Sequence, residues 1–362
     1  MIGLGAVAQA VHLPLLARLG DLFRIDAVAD LSEAAVALLG DRYGVARRYD
    51  TIDSLLADAA VDAVVILTSG SHGKPAADAL AAGVSVFCEK PLAYTVAEAD
   101  ALLAADGWLA LGYMKLYDPA VVRARELLAD RPPARSVEVT VLHPASAPQL
   151  AHARVAAPMA DVSAETLAAL AARTGELEER ALGEAPAELR RLYADVLLGS
   201  VVHELAVVRA LVGDPLTFEH VDVWPENKWP PSVAIHGTLA GGARLAIRWH
   251  YLEGYPAYRE EIRVHDELGT LTLTFPSPYL LHAPTDLTLV DADAGTERTT
   301  RFASTTEAFE EELVAFHRLV TDGTPFAAGV GEGRADIVTC QRIVRCLAER
   351  RGLRLGGEAA AA

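Results

Sequence analysis

Cysteine is scarce in this chain of 362 residues, which contains only Cys88, Cys340 and Cys346. They form no C-x-x-C pair and have no ligand-spaced histidines beside them, which argues against a disulfide framework and a structural zinc site alike. A reducing cytoplasm is the expected setting, and no metal is expected. Basic residues are outnumbered too, 32 Lys and Arg against 49 Asp and Glu, and the formal charge of −17 would repel a phosphate backbone. Nucleic acid is therefore not an expected partner. No apolar run approaches the ~18 residues that a membrane span requires. No basic stretch precedes an apolar one at the amino end, so neither a membrane span nor a signal peptide is expected. With those classes set aside, 52% hydrophobic and 22% charged residues describe a globular protein long enough for two domains. Low-complexity sequence is confined to the Gly356-Gly357-Glu358-Ala359 tail, which reads as disordered.

Short β-branched runs alternate with alanine-rich, helix-periodic segments through the first part of the chain, the pattern of βαβ units around a parallel sheet. Strands are expected at Ile25 to Ala29, Ala63 to Leu67, Ser85 to Cys88 and Trp108 to Tyr113. Helices fit at about Ala8 to Leu19, Ser32 to Tyr43, Ile52 to Asp58, Lys74 to Ala82 and Val96 to Ala105. Right-handed crossovers then bring the strand carboxyl ends, and any ligand, to one edge. From Ser136 the texture changes to longer alternating strands: Ser136 to Leu142, Thr217 to Trp224, Ser232 to Leu239, Arg244 to Tyr251, Arg259 to Asp266 and Thr270 to Phe275. Turns such as Ala240-Gly241-Gly242-Ala243 point to an antiparallel sheet with one face covered. A last helix is expected over Asp336 to Arg350. The expected division is an α/β domain with a doubly wound parallel sheet at 1–118 and an α+β domain at 119–352. The latter has a mostly antiparallel open sheet and a helical insertion at about 161–211, and a tail follows at 353–362. The open sheet would serve for assembly into a homodimer or homotetramer.

Gly3-Leu4-Gly5-Ala6-Val7-Ala8 matches G-x-G-x-x-A, the Rossmann turn. Its glycines let a pyrophosphate approach the backbone N–H groups at a helix start, here those of Ala6 and Val7. Asp30 ends the apolar run Ile25-Asp26-Ala27-Val28-Ala29 where a carboxylate would accept the ribose hydroxyls of NAD. Its other reading is an ordinary cap of the helix that follows. No arginine stands at 31–33 to meet an adenosine 2′-phosphate, so NAD is favoured over NADP. Only Met1 and Ile2 precede Gly3, fewer than the five or six residues usual in a strand. Either the first strand is very short or it starts upstream of this sequence.

After Val84-Ser85-Val86-Phe87-Cys88 comes Glu89-Lys90-Pro91-Leu92-Ala93. Its proline keeps Lys90 out of helical geometry and presents the ammonium at the cofactor edge. Together with Gly3 to Ala8, Asp30, Val61 to Thr68, His72, Ala82-Gly83 and Gly112-Tyr113-Met114-Lys115-Leu116-Tyr117-Asp118-Pro119, this motif resembles the glucose-fructose oxidoreductase, inositol dehydrogenase and MocA family. The resemblance covers the amino-terminal third closely and the remainder in general layout. It implies that Thr68, Ser69 and His72 sit beside the cofactor and that Glu89 approaches the nicotinamide ribose. Lys90 would then contact both nicotinamide and a substrate hydroxyl. At Ser69-Gly70-Ser71 the loop is shorter than the family's and lacks its proline, and His72 also reads as an exposed loop histidine.

The run Leu197 to Leu205 is apolar except at Ser200, His203 and Glu204, and resembles the family helix that delivers a catalytic histidine. On that reading His203 takes the hydroxyl proton and Lys90 stabilises the alkoxide. The other reading is a buried structural histidine. The family's aspartate one turn earlier is here Gly199; either Lys90 and His203 work alone or Lys115 or another group supplies the missing polarity, and Lys115 is also a weaker candidate for substrate contact. Trp224 to Pro231 reads as a substrate-facing loop, an oligomer contact or a rigid turn. Tyr251, Tyr255 and Tyr258 read as a sugar-site wall or as packing, and the charges of Arg173 to Arg191 as a solvated helix face. The expected activity is NAD-dependent oxidation of a secondary alcohol on a sugar or cyclitol. The rivals are an NAD-recycling, glycoside-cleaving enzyme that oxidises its sugar transiently and a non-catalytic dinucleotide-binding regulator.

Overall fold

The computed structural model describes residues 1–58, 60–156 and 160–362. Five short strands form the parallel layer: β1 (Ala27–Ala29), β2 (Arg47–Tyr49), β3 (Ala63–Ile66), β4 (Ser85–Glu89) and β5 (Leu109–Gly112). β1 pairs with β2, and β3 with β4 and β4 with β5. Ile2 bridges β1 and β3 in parallel at Ala29 and Ile66, so the order is β2-β1-Ile2-β3-β4-β5, the doubly wound arrangement. Val64 to Ile66 and Val86 to Cys88 are buried, as strands covered by helices on both faces require.

In this sequence, Met1 to Gly3 lie between β1 and β3 and are bonded on both sides. The Met1 amino group donates to Ala27 O at 2.9 Å. Ile2 N donates to Val65 O at 2.8 Å, Gly3 N to Ala29 O at 2.9 Å, and Leu67 N to Ile2 O at 2.8 Å. Burial lowers the pKa of the Met1 amine to about 5. Beside it, at the amino ends of the parallel strands, lies a cavity of about 620 Å³ lined in part by Ile25, Ala27, Val61, Ala63 and Phe316. It is on the edge opposite the glycine turn.

The second sheet has eight strands: β6 (Ser136–His143), β7 (Pro215–Trp224), β8 (Ser232–Leu239), β9 (Arg244–Tyr251), β10 (Arg259–His265), β11 (Gly269–Phe275), β12 (Asp286–Asp293) and β13 (Thr296–Phe302). Their order is β13-β12-β11-β10-β6-β9-β8-β7. β6 and β9 run parallel and the other pairs antiparallel. Val137, Val139, Val141, Ile235, Ile247 and Ile262 alternate inward, and their apolar cluster continues without a break into Ile66, Val86 and Leu111 of the parallel sheet. Between β6 and β7 the chain leaves the sheet for helices Ala164–Leu182, Ala187–Arg191 and Val202–Val212, with a π-helical stretch, Leu192–Val201, before the last.

The tail is not disordered as expected. Residues Glu358–Ala360 form a 3₁₀ turn with Ala359 buried. The Glu358 carboxylate accepts from Val96 N at 2.7 Å and Ala97 N at 2.9 Å, capping helix Val96–Leu103. Gln341 Nε2 also donates to it, at 2.9 Å. Among the described residues, no helix is long and apolar enough to cross a membrane.

Candidate active site

At the carboxyl edge of the parallel sheet the glycine turn folds as its composition requires. Gly3 has φ +85°, and a Cβ there would lie 2.7 Å from the Leu67 carbonyl carbon. A Cβ on Gly5 would meet nothing within 4 Å, so the space above the turn is open. The helix ladder begins with Gln9 N donating to Gly5 O, which leaves the N–H groups of Ala6 and Val7 at the helix start without intrahelical acceptors. Asp30 closes this corner: its Oδ2 accepts from Leu4 N at 2.7 Å and its Oδ1 from Ser32 N at 2.9 Å. The cap of helix Glu33–Tyr43 is Ser32, which accepts from Ala35 N. Open space, free helix-start donors and an adjoining carboxylate suit a dinucleotide.

Thr68 and Ser69, both half-buried, leave the end of β3. His72 is not an exposed loop residue: it is 1% accessible, with Nδ1 2.7 Å from Pro91 O and Nε2 2.7 Å from Thr68 O. Burial lowers its pKa. A neutral imidazole carries one N–H and so donates to one of these carbonyls at a time. The ring brackets the Thr68–His72 loop against the Glu89-Lys90-Pro91 turn.

That turn has two outlets. Glu89 Oε1 lies 3.0 Å from His12 Nε2. Burial pushes the Glu89 carboxyl up, but the His12 bond and the adjacent Lys90 charge outweigh it and hold the pKa below the ordinary carboxylate range. His12 escaped sequence reasoning, although it and Gln9 are the sole polar residues from Ala8 to Leu16. Lys90 Nζ donates to Gly199 O at 2.5 Å. Burial lowers its pKa, with Glu89 and Glu204 opposing. At the position where the resemblance leads to the expectation of a carboxylate, the ammonium meets a backbone carbonyl. Gly199 lies within the π-helical stretch, and a Cβ on it would come within 3.3 Å of Ala194 O.

One turn later stands His203. Its Nδ1 is buried and, among the described residues, has no hydrogen-bond partner. Its ring lies edge-on to Tyr113, centroids 6.0 Å apart, beyond the end of β5. Burial, with the charges of Lys90 and Lys115, holds its pKa well below the ordinary imidazole value. The helix is fixed from below: Arg209 pairs with buried Asp336, which also accepts from Tyr113 Oη at 2.5 Å. The preceding π stretch is held by Trp249 Nε1 donating to Ser200 Oγ at 2.9 Å and Tyr193 Oη donating to Tyr94 O at 2.7 Å.

Lys115 does not offer a free ammonium. It is buried between Glu204, at 3.2 Å, and Glu260, and its pKa is raised because these carboxylates outweigh burial. Tyr258 Oη donates to Glu260 at 2.6 Å. His143 packs among Trp249, Tyr251 and Tyr258, close enough to Lys90 and Lys115 that burial and their charges lower its pKa. Glu260 and His143 escaped sequence reasoning because each looks like an ordinary strand residue until the sheet is assembled. Trp229 packs under Arg191, 4.0 Å from ring centroid to guanidinium, and Tyr255 lies at the surface. The structure thus brings Lys90, His203 and Lys115 near one another and turns His72 inward.

Residues 1–106 match a family model described as an oxidoreductase family with an NAD-binding Rossmann fold. An inositol 2-dehydrogenase from Paracoccus denitrificans is 33% identical over 137 residues, 36% of this chain and 40% of that protein. A D-xylose 1-dehydrogenase (NADP(+)) from Haloferax volcanii is 34% identical over 108 residues, 28% of this chain and 33% of the relative. The chain is thus aligned with less than half the length of these relatives. Among solved structures, an oxidoreductase from Agrobacterium radiobacter in complex with NAD+, L-tartaric acid and magnesium superposes with a TM-score of 0.71 at 16% identity, covering 100% of this chain and 98% of that one. This last likeness bears on the fold alone.

Proposed function

From the premise that the amino-terminal part of the chain belongs to the Gfo/Idh/MocA oxidoreductase family, we propose that the protein is an NAD-dependent dehydrogenase acting on a secondary alcohol of a sugar or cyclitol. The observation that carries this reading is the Lys90 ammonium donating to Gly199 O, 2.5 Å away and one helical turn before His203. Two residues far apart in sequence are thereby brought to one end of the cofactor edge. Gly3, Gly5, Ala6, Val7 and Asp30 would hold the adenosine and pyrophosphate end of NAD, and Thr68, Ser69, Glu89 and Lys90 would line the path to its nicotinamide. The cofactor, when bound, accepts or returns the hydride.

The remaining chemistry belongs to the chain. Lys90 donates a hydrogen bond to the substrate oxygen, and its lowered pKa makes it a stronger acid than a surface lysine. His203, neutral because burial and two ammonium groups oppose its protonation, is available to take the hydroxyl proton. Lys115, held between Glu204 and Glu260, sets the local field. We further propose domains at 1–118 and 119–352, a cytoplasmic setting, and assembly of two or four copies through the open face of the second sheet.

A panel of sugars and cyclitols offered with NAD, followed by the absorbance of reduced nicotinamide, tests the reading. Turnover of at least one polyol is expected. Dinucleotide binding without turnover of any would favour a regulator. A second reading, transient oxidation of a glycoside with NAD recycled, is favoured by a strap from the second domain tied to the glycine turn, where Ala156 N donates to Gln9 Oε1 at 2.9 Å.

A further inference from the structure

We infer that Asp161, on the excursion between β6 and helix Ala164–Leu182, is a determinant of cofactor choice that closes the 2′-phosphate position. The inference rests on the proposed dinucleotide site. An adenosine ribose whose hydroxyls meet Asp30 would carry any 2′-phosphate one bond beyond the 2′-oxygen, toward Ser32 and the start of helix Glu33–Tyr43. A hydroxyl and free helix-start N–H groups are what a phosphate would seek there. In this chain that corner is taken. Asp161 Oδ1 accepts from Ser32 Oγ at 2.7 Å, and Asp161 Oδ2 accepts from Ala34 N at 2.9 Å. Asp30 Oδ1 accepts from the same serine's N–H at 2.9 Å, so two carboxylates converge on Ser32. The arginines of neighbouring β2 offer no relief, because Arg47 is bonded to Asp26 and Arg48 to Asp41.

A phosphate arriving here would have to displace a carboxylate from its donors and would meet negative charge in place of a guanidinium. A ribose hydroxyl meets no such obstacle, since it is neutral and donates. Asp161 therefore discriminates by exclusion, adding repulsion against the wrong cofactor to the attraction that Asp30 offers the right one. The sequence around Asp30 carries no sign of this, because Asp161 lies 129 residues beyond Ser32.

The test compares wild type with Asp161→Asn and Asp161→Ala by titrating the full-length proteins with NAD+ and with NADP+ in a calorimeter, without substrate. The expected result is NADP+ affinity raised about tenfold or more in both variants, with NAD+ affinity within about threefold of wild type. A ratio of the two affinities that stays at its wild-type value in both variants overturns the role of Asp161 alone. If wild type binds neither nucleotide, the proposed cofactor site fails and the inference falls with it.

Discussion

Exchanging Lys90 or His203 for alanine should lower kcat by about 10²-fold or more while NAD affinity stays within a few-fold, because groups that handle a proton act mainly in the transition state. Steady-state kinetics beside calorimetric NAD titration check this. An equal loss in both quantities would instead mark a structural residue. The acid limb of kcat/KM should fall below 6.5, since burial and two neighbouring ammonium groups depress the His203 pKa. Lys115 carries a different expectation. Replacing it with methionine leaves Glu204 and Glu260 buried without their cation and should cost about 3–5 kcal/mol of stability in denaturant unfolding. The Glu204 carboxyl is raised above its ordinary 4.5, chiefly by burial. A group raised in this sense holds its proton in the folded state after the unfolded chain has lost it. Its stabilising contribution is complete below 4.5 and is lost as pH climbs through the folded value. Glu204→Gln should therefore flatten the decline of the thermal midpoint on the alkaline side.

Helix Val202–Val212 owes its orientation to Arg209, whose guanidinium joins Asp336 on helix Val330–Arg350. Arg209→Met should destabilise the fold by about 3–5 kcal/mol, because Asp336 is left buried without its cation. It should also lower kcat more than it weakens NAD binding, and thermal unfolding with kinetics on one preparation reads both. At this scale the sequence was readable where composition and packing agree. Val64 to Ile66 and Val86 to Cys88 are continuous apolar runs, and they are the buried strands. It was unreadable where an element is held by its neighbours. β2 is Arg47-Arg48-Tyr49 at a sheet edge, and β13, Thr296–Phe302, is polar along nearly its whole length, as edge strands commonly are. Neither shows the alternation that marks a half-buried strand. The site divides the same way. Gly3, Asp30 and Lys90 announce themselves by local motif, whereas the Lys90 bond to Gly199 and the Asp161 bond to Ser32 join residues that no local spacing relates.

Over the whole molecule, the chain leaves the parallel sheet after β5 and comes back to the same strand, where Leu111 N donates to Ala328 O at 3.0 Å. Helix Val330–Arg350 then packs between helix Val96–Leu103 and β7, and Glu358 caps the former. Removing residues 352–362 should lower the thermal midpoint, and Glu358→Ala alone should cost about 0.5–2 kcal/mol, the range for a lost helix cap. A truncated protein with an unchanged midpoint would return the tail to the role of an ornament. The double attachment has a kinetic consequence. Two sheets joined twice at β5 resist hinge opening, so release of a nucleotide bound at the glycine turn as proposed would depend on local opening at the bonds of Ala156 to Gln9 and of Asp161 to Ser32 rather than on a swing of the whole molecule. Those few contacts would then bear on how long a nucleotide stays as well as on which nucleotide is chosen.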